Sequence, residues 1–167
     1  AAVASRDQSR AEQFIAECQA STPTGAEVKA HGSYEDLLAD QNIDAVYIPL
    51  PTGARKEWVI HAARARKHVV CEKPCALSSA DLREMIDACR KHRVQFMDGV
   101  MFMHSARLQA VRDEIANLGE LKRISSAFSF YGGKEFYAAN IRVDKKLEPF
   151  GCLGDLGWYC IQIGRAH

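Results

Sequence analysis

Short apolar runs alternate with helical repeats through the first part of this chain. The runs are residues 1–5, residues 43–48, the stretch ending at Val69-Val70-Cys71, and residues 94–97. Between them the apolar residues recur at i, i+3, i+4 and i+7. Ala11, Phe14, Ile15 and Cys18 follow this rule, and Trp58, Val59, Ala62 and Ala63 also fall at helical spacing. Leu82, Met85, Ile86 and Cys89 make the clearest apolar face. The order reads β-α-α-β-α-β-α-β. Such alternation predicts an α/β fold with a parallel sheet and helices on both faces, and right-handed crossovers restrict the topology. Helix starts are marked by Ser33 and Ser78, each with an aspartate three residues on. Residues 21–25 are turn chemistry.

Beyond residue 98 the pattern changes. Residues 104–118 read as a further helix stopped by Gly119, and residues 121–131 alternate like a longer strand, suited to an antiparallel sheet. The boundary therefore falls at residues 98/99, giving a first domain of residues 1–98 and the beginning of a second over residues 99–167. The chain has 167 residues, enough for about one domain and part of another. Its net charge of +1 gives no support to a nucleic-acid surface. No apolar run approaches the ~20 residues of a membrane span, and Arg6, Asp7, Arg10 and Glu12 interrupt any signal-peptide core. The six cysteines lack C-x-x-C spacing, so reduced thiols, no metal and a cytoplasmic setting are expected.

Chemistry concentrates at the strand ends. Val69-Val70-Cys71 reads as a strand buried on both faces, and Glu72-Lys73-Pro74 follows it. In open α/β sheets ligands bind beyond that carboxyl edge. An ammonium there can stabilise an alkoxide, and Glu72 can orient it or counter its charge. Equally, Lys73 reads as a surface lysine in a turn. Residue 5 is where a dinucleotide fold often places an acid for the ribose 2′-hydroxyl. Ser5, Arg6 and Arg10 suit a 2′-phosphate instead, or else a solvated helix start. Pro49-Leu50-Pro51-Thr52 forms a stiff loop that either walls a cofactor or only connects. Asp155 and Tyr159, one turn apart after three glycines in seven residues, can bind a polyol and move a proton. The other reading makes Asp155 an N-cap and Tyr159 a packed aromatic.

Taken together these residues resemble the Gfo/Idh/MocA family (glucose–fructose oxidoreductase, inositol dehydrogenase, dihydrodiol dehydrogenase). Ala2-Val3-Ala4-Ser5-Arg6-Asp7 is similar to its second strand. Tyr34-Glu35-Asp36-Leu37-Leu38 with Asp44-Ala45-Val46-Tyr47-Ile48 resembles a further signature, Glu72-Lys73-Pro74 its E-K-P motif, and Gly154-Asp155-Leu156-Gly157-Trp158-Tyr159 its D-x-G-x-[HY] motif. The resemblance implies a Rossmann domain followed by an α+β domain, and NAD or NADP as cofactor; Ser5, Arg6 and Arg10 argue for NADP, with NAD possible. It implies hydride transfer to or from a sugar, polyol or trans-dihydrodiol in a homo-oligomeric parent enzyme. A non-catalytic dinucleotide-sensing regulator of the same fold is the alternative. The resemblance makes Lys73, Tyr159 and Asp155 catalytic. The strand-end reading expects cofactor contacts from Ser5, Arg6, Arg10, Pro49, Leu50, Pro51, Thr52, Glu72, Lys73 and Pro74, and the resemblance implies that the Lys73–Pro74 bond is often cis.

Against the family pattern, the first strand and its glycine loop are missing, Arg55 stands where members commonly carry His, and residues 164–167 leave the pattern. The expectation is a Rossmann-type sheet whose strand at residues 1–5 lacks a central neighbour. A fragment of that kind is expected to be marginally stable, to bind NADP weakly and to be inactive on its own.

Overall fold

The computed structural model describes residues 1–165 except Thr24. Among the described residues five short strands form, all in parallel pairs. β1 (Ala2–Ala4) pairs with β2 (Lys29–His31), Val3 lying opposite Ala30. β3 (Ala45–Ile48), β4 (His68–Cys71) and β5 (Phe96–Asp98) form a second sheet in that order. In it Val46 lies opposite Val69, and Val69 opposite Phe96. Among the described residues β1 pairs with β2 alone. It faces β3 across an apolar groove of about 640 Å³ closed by Phe14, Leu37 and Trp58. β2 went unread in the sequence. At three residues, only one of them buried, it is too short to carry a period-2 signal.

The helices form where the caps allow. Asp7 accepts from the Ser9 N–H at the start of α1 (Gln8–Ser21). Ser33 accepts from Asp36 N–H to start α2 (Tyr34–Ala39), and Ser78 from Asp81 N–H to start α4 (Ser79–His92). α4 stops where Arg93 turns left-handed at φ 58°. α3 (Thr52–Arg64) packs on α4 and on the second sheet. Val46, Ile48, Val59, Ala62, Ala63, Val69, Cys71, Met85 and Cys89 meet there as one core. Lys56 of α3 reaches Asp81 at 2.7 Å and Glu84 at 2.8 Å on α4. The expectation that Val69-Val70-Cys71 is buried on both faces is corrected. Alternate residues point away from α3 and α4, leaving Val70 half-buried and Tyr47 beside it exposed.

After β5 come a 3₁₀ turn at Met101–His104 and α5 (Ala106–Ala116), started by Ser105. Then follow α6 (Lys134–Ala139), a 3₁₀ turn at Ile141–Val143, a π turn at Leu153–Gly157 and α7 (Trp158–Arg165). Residues 121–131 are not a strand, contrary to the sequence expectation. Their alternation is real, but no ladder partner lies beside them among the described residues. Leu121, Ile124, Phe128 and Phe130 stay exposed, and an unpaired segment has nowhere to place its backbone hydrogen bonds. All six cysteines are free, with Cys71, Cys75 and Cys89 buried. No helix among the described residues is long and apolar enough to cross a membrane. Thr24 of the predicted turn, and Ala166 and His167 of the divergent tail, lie outside the described residues.

Candidate active site

The β4 strand delivers its next residues to the carboxyl edge of the sheet. Glu72 N–H still donates to Ile48 O at 3.1 Å, and the chain then leaves the ladder through a cis Lys73–Pro74 bond. Lys73 does not point into solvent. Its Nζ donates to Asp155 Oδ1 at 2.9 Å and to the Asp155 carbonyl at 2.8 Å. The same ammonium lies 4.6 Å from the centroid of the Tyr159 ring, within the range of cation–π attraction. The Lys73 and Asp155 side chains are 12% and 16% exposed, so the pair is partly desolvated and its charges act strongly on each other. The three predicted catalytic residues are thus brought to one place, and the surface-lysine reading fails.

Asp155 is not an N-cap. It sits inside the π turn, one turn before Tyr159 on the same helical path. Its second oxygen, Oδ2, pairs with Arg142 Nε at 2.5 Å. Burial alone would push the Asp155 carboxyl up. Hydrogen bonds from Lys73 and Arg142, and their charges, outweigh burial and hold it below the ordinary carboxylate value. Tyr159 presents its ring face to Lys73. That ring is packed by Phe128 at 5.5 Å and Phe102 at 6.0 Å, and its hydroxyl makes no hydrogen bond among the described residues.

Glu72 does not pair with the Lys73 ammonium. It accepts from Tyr47 Oη at 2.8 Å and from the Lys73 backbone N–H at 3.0 Å. Burial, then this contact with Glu72, raises the Tyr47 phenol. Gly99 lies against Glu72 so closely that an added Cβ would come within 3.2 Å of its Cα. Arg55, buried in the first turn of α3, donates through Nε to Leu50 O at 2.6 Å. Its Nη1 donates to Glu72 O at 3.1 Å and Pro74 O at 2.5 Å.

The other predicted cofactor residues are spread along the same edge. Ser5 directly follows β1, its N–H donating to His31 O at 3.1 Å. Arg6 and Arg10 are exposed, and neither forms an ion pair among the described residues. Exposed guanidinium groups can pair with a phosphate ester. Asp7 between them is turned to capping α1, and its hydrogen bonds with Ser9 hold its carboxyl low. Pro49, Leu50 and Pro51 form the loop into α3. Thr52 is buried, and its N–H and hydroxyl are both taken by Glu148, at 3.0 and 2.7 Å. Arg142 and Glu148 went unread in the sequence, and Tyr47 was read only as part of its strand and signature. Each acts through a partner 13 to 96 residues away, and no local spacing signals such a contact.

Known proteins resemble this chain in sequence and in fold. A family model described as an oxidoreductase family with an NAD-binding Rossmann fold matches residues 1–100. The chain is 38% identical over 166 residues to D-xylose 1-dehydrogenase (NADP(+)) 2 of Haloferax volcanii, covering 99% of this chain and 48% of that protein. It is 35% identical over 172 residues to trans-1,2-dihydrobenzene-1,2-diol dehydrogenase of Xenopus laevis, covering 97% of this chain and 46% of that one. Among solved structures, KijD10, a 3-ketoreductase from Actinomadura kijaniata crystallised with NADP and TDP-benzene, superposes with a TM-score of 0.61. It is 32% identical, over 70% of this chain and 33% of that chain. The chain therefore spans about half the length of the curated relatives it matches.

Proposed function

The chain belongs to the Gfo/Idh/MocA oxidoreductases, and from that premise we propose that it carries the nucleotide-binding part and catalytic lysine of an NADP-dependent oxidoreductase. The substrate is a sugar, polyol or trans-dihydrodiol. The relatives named for xylose and dihydrobenzene-diol substrates support that class. Residues 1–98 form the nucleotide-binding part and residues 99–167 begin the substrate part. The parent enzyme is a cytoplasmic homo-oligomer.

A bound nicotinamide nucleotide supplies the hydride chemistry. The chain supplies position and charge around it. Ser5, Arg6 and Arg10 would hold its 2′-phosphate, and residues 49–52 and 72–74 would contribute to its binding. Lys73 stabilises negative charge developing on the substrate oxygen. Asp155 binds a neighbouring substrate hydroxyl and holds the ammonium until substrate arrives. Tyr159 passes the proton from its free hydroxyl and presents its ring face to Lys73.

The observation that carries this reading is the 2.9 Å pair of Lys73 with Asp155, across 82 residues of chain, at the carboxyl edge of a parallel sheet. In the full-length enzyme, Lys73→Met is expected to lower turnover by about 10²–10⁴-fold with little change in cofactor affinity. Turnover at the level of the parent enzyme would remove Lys73 from the chemistry. Calorimetric titration is expected to find NADP bound more tightly than NAD, and replacing Arg6 and Arg10 together by Ala should erase the difference. Equal affinities before that replacement would place both arginines in solvent.

A further inference from the structure

We propose that Arg55 is a positioning residue of this site, holding the peptide on both sides of Lys73 so that the ammonium stays on Asp155 and Tyr159. The inference rests on the role given to Lys73 above. Arg55 touches none of the groups that would meet substrate. Its Nη1 reaches the carbonyls of Glu72 and Pro74, the two residues that bracket Lys73. Its Nε reaches Leu50 in the loop leaving β3. One rigid fork thus ties together the two strand-exit loops that border the site. A planar guanidinium does this and a single ammonium does not, because the donors point in fixed, divergent directions.

Two further observations separate this role from ordinary helix stabilisation. Arg55 sits in the first turn of α3, the positive end of the helix, where a cation is unfavourable. It is also 6% exposed, yet no carboxylate lies within ion-pair distance among the described residues. A buried guanidinium without a counter-ion is costly, and only the three carbonyls compensate it. Position and partners both count against Arg55 as a helix-stabilising cation. They are what a brace for the Lys73 turn requires. Nothing in the residue pattern around position 55 foretold this, because its acceptors are backbone atoms.

The test uses the full-length enzyme and two readouts. The first is the split between kcat and KM. Arg55→Met is expected to lower kcat by about 10–100-fold, the scale of a reacting group displaced by ~1 Å, with KM for cofactor and substrate little changed. The second is independent of activity: the rate at which an amine-directed acylating reagent labels Lys73, read by mass spectrometry. Exposed Lys29 and buried Lys67 serve as internal references. In Arg55→Met, Lys73 is expected to label several-fold faster while Lys67 stays protected. Arg55→Lys should give an intermediate rate, since it keeps charge and loses the fork. Should Arg55→Met fail to fold, the Arg55→Lys comparison decides by the same labelling ratio.

Unchanged Lys73 labelling in a folded variant overturns the proposal. So does parallel deprotection of Lys73 and Lys67, which would mean that Arg55 only stabilises the domain. Lys73 labelling that rises alone, in an enzyme where Lys73→Met keeps full turnover, supports the brace and refutes the catalytic assignment of Lys73.

Discussion

Asp155 faces two cations, Lys73 on one oxygen and Arg142 on the other, and this fixes its protonation. Its pKa is lower in the folded protein than in the unfolded chain. Its contribution to stability is therefore complete above the ordinary carboxyl value of 3.8 and is lost as pH falls through the lower folded value. Asp155→Asn is expected to leave a shallower acid limb in a plot of stability against pH. Urea midpoints taken from pH 6 down to 2 in both proteins measure this, and the difference between the curves isolates Asp155 from Asp7 and Asp81, which are shifted the same way. Superimposable acid limbs would mean that the carboxylate is solvated. At this scale much of the site was legible in the sequence. Lys73 follows an apolar run, and Asp155 and Tyr159 stand one helical turn apart, so each was readable from its near neighbours. Arg142, which completes the carboxylate's environment, was not. Its 13-residue span to Asp155 crosses turns whose geometry no periodicity encodes.

Helix α4 and the core beneath it show what a strong local signal yields. Ser78, Asp81 and an apolar stripe announced the helix, and it forms one residue inside the expected range. Met85 on that stripe is fully buried against the α3 layer. Met85→Ala is expected to cost about 2–5 kcal/mol, the lost transfer energy plus the cavity left behind. Equilibrium unfolding in urea measures it, and a cost below ~1 kcal/mol would mean that the core collapses onto the space. Elements whose existence depends on a neighbour were less legible. β2 is three residues long and is defined by its parallel pairing with β1, Lys29, Ala30 and His31 lying opposite Ala2, Val3 and Ala4. Residues 121–131 show the reverse: they have the alternation of a strand and no partner to make them one. Periodicity records which side chains share a face, while pairing is a property of two segments, and only the first is written locally.

In the molecule as a whole, the later part of the chain is held to the sheet by few contacts. Glu148 caps α3 from 96 residues away, taking both the N–H and the hydroxyl of Thr52. Thr52 is 2% exposed, so Glu148→Ala strands a buried donor and is expected to cost about 1–3 kcal/mol. Chemical denaturation checks this, and Glu148→Gln, which keeps one acceptor oxygen, should fall between the two. The alternation of residues 1–98 made the parallel sheet readable at this scale, whereas nothing in the sequence joined position 148 to position 52. The Lys73–Asp155 pair also spans a long loop, of 82 residues. Closing a loop of that length costs about 1 kcal/mol more chain entropy than closing the β3–β4 crossover. The sheet has a buried core to offset its own closure, while the site has two ion pairs, a cation–π contact and the packing of Phe102 and Phe128 on Tyr159. Local opening follows from that imbalance. Amide hydrogens around residues 153–161 should exchange through a low-energy excursion while those of β3 and β4 wait for global unfolding. Such an excursion would release the Lys73 ammonium from Asp155 without unfolding the sheet that carries it.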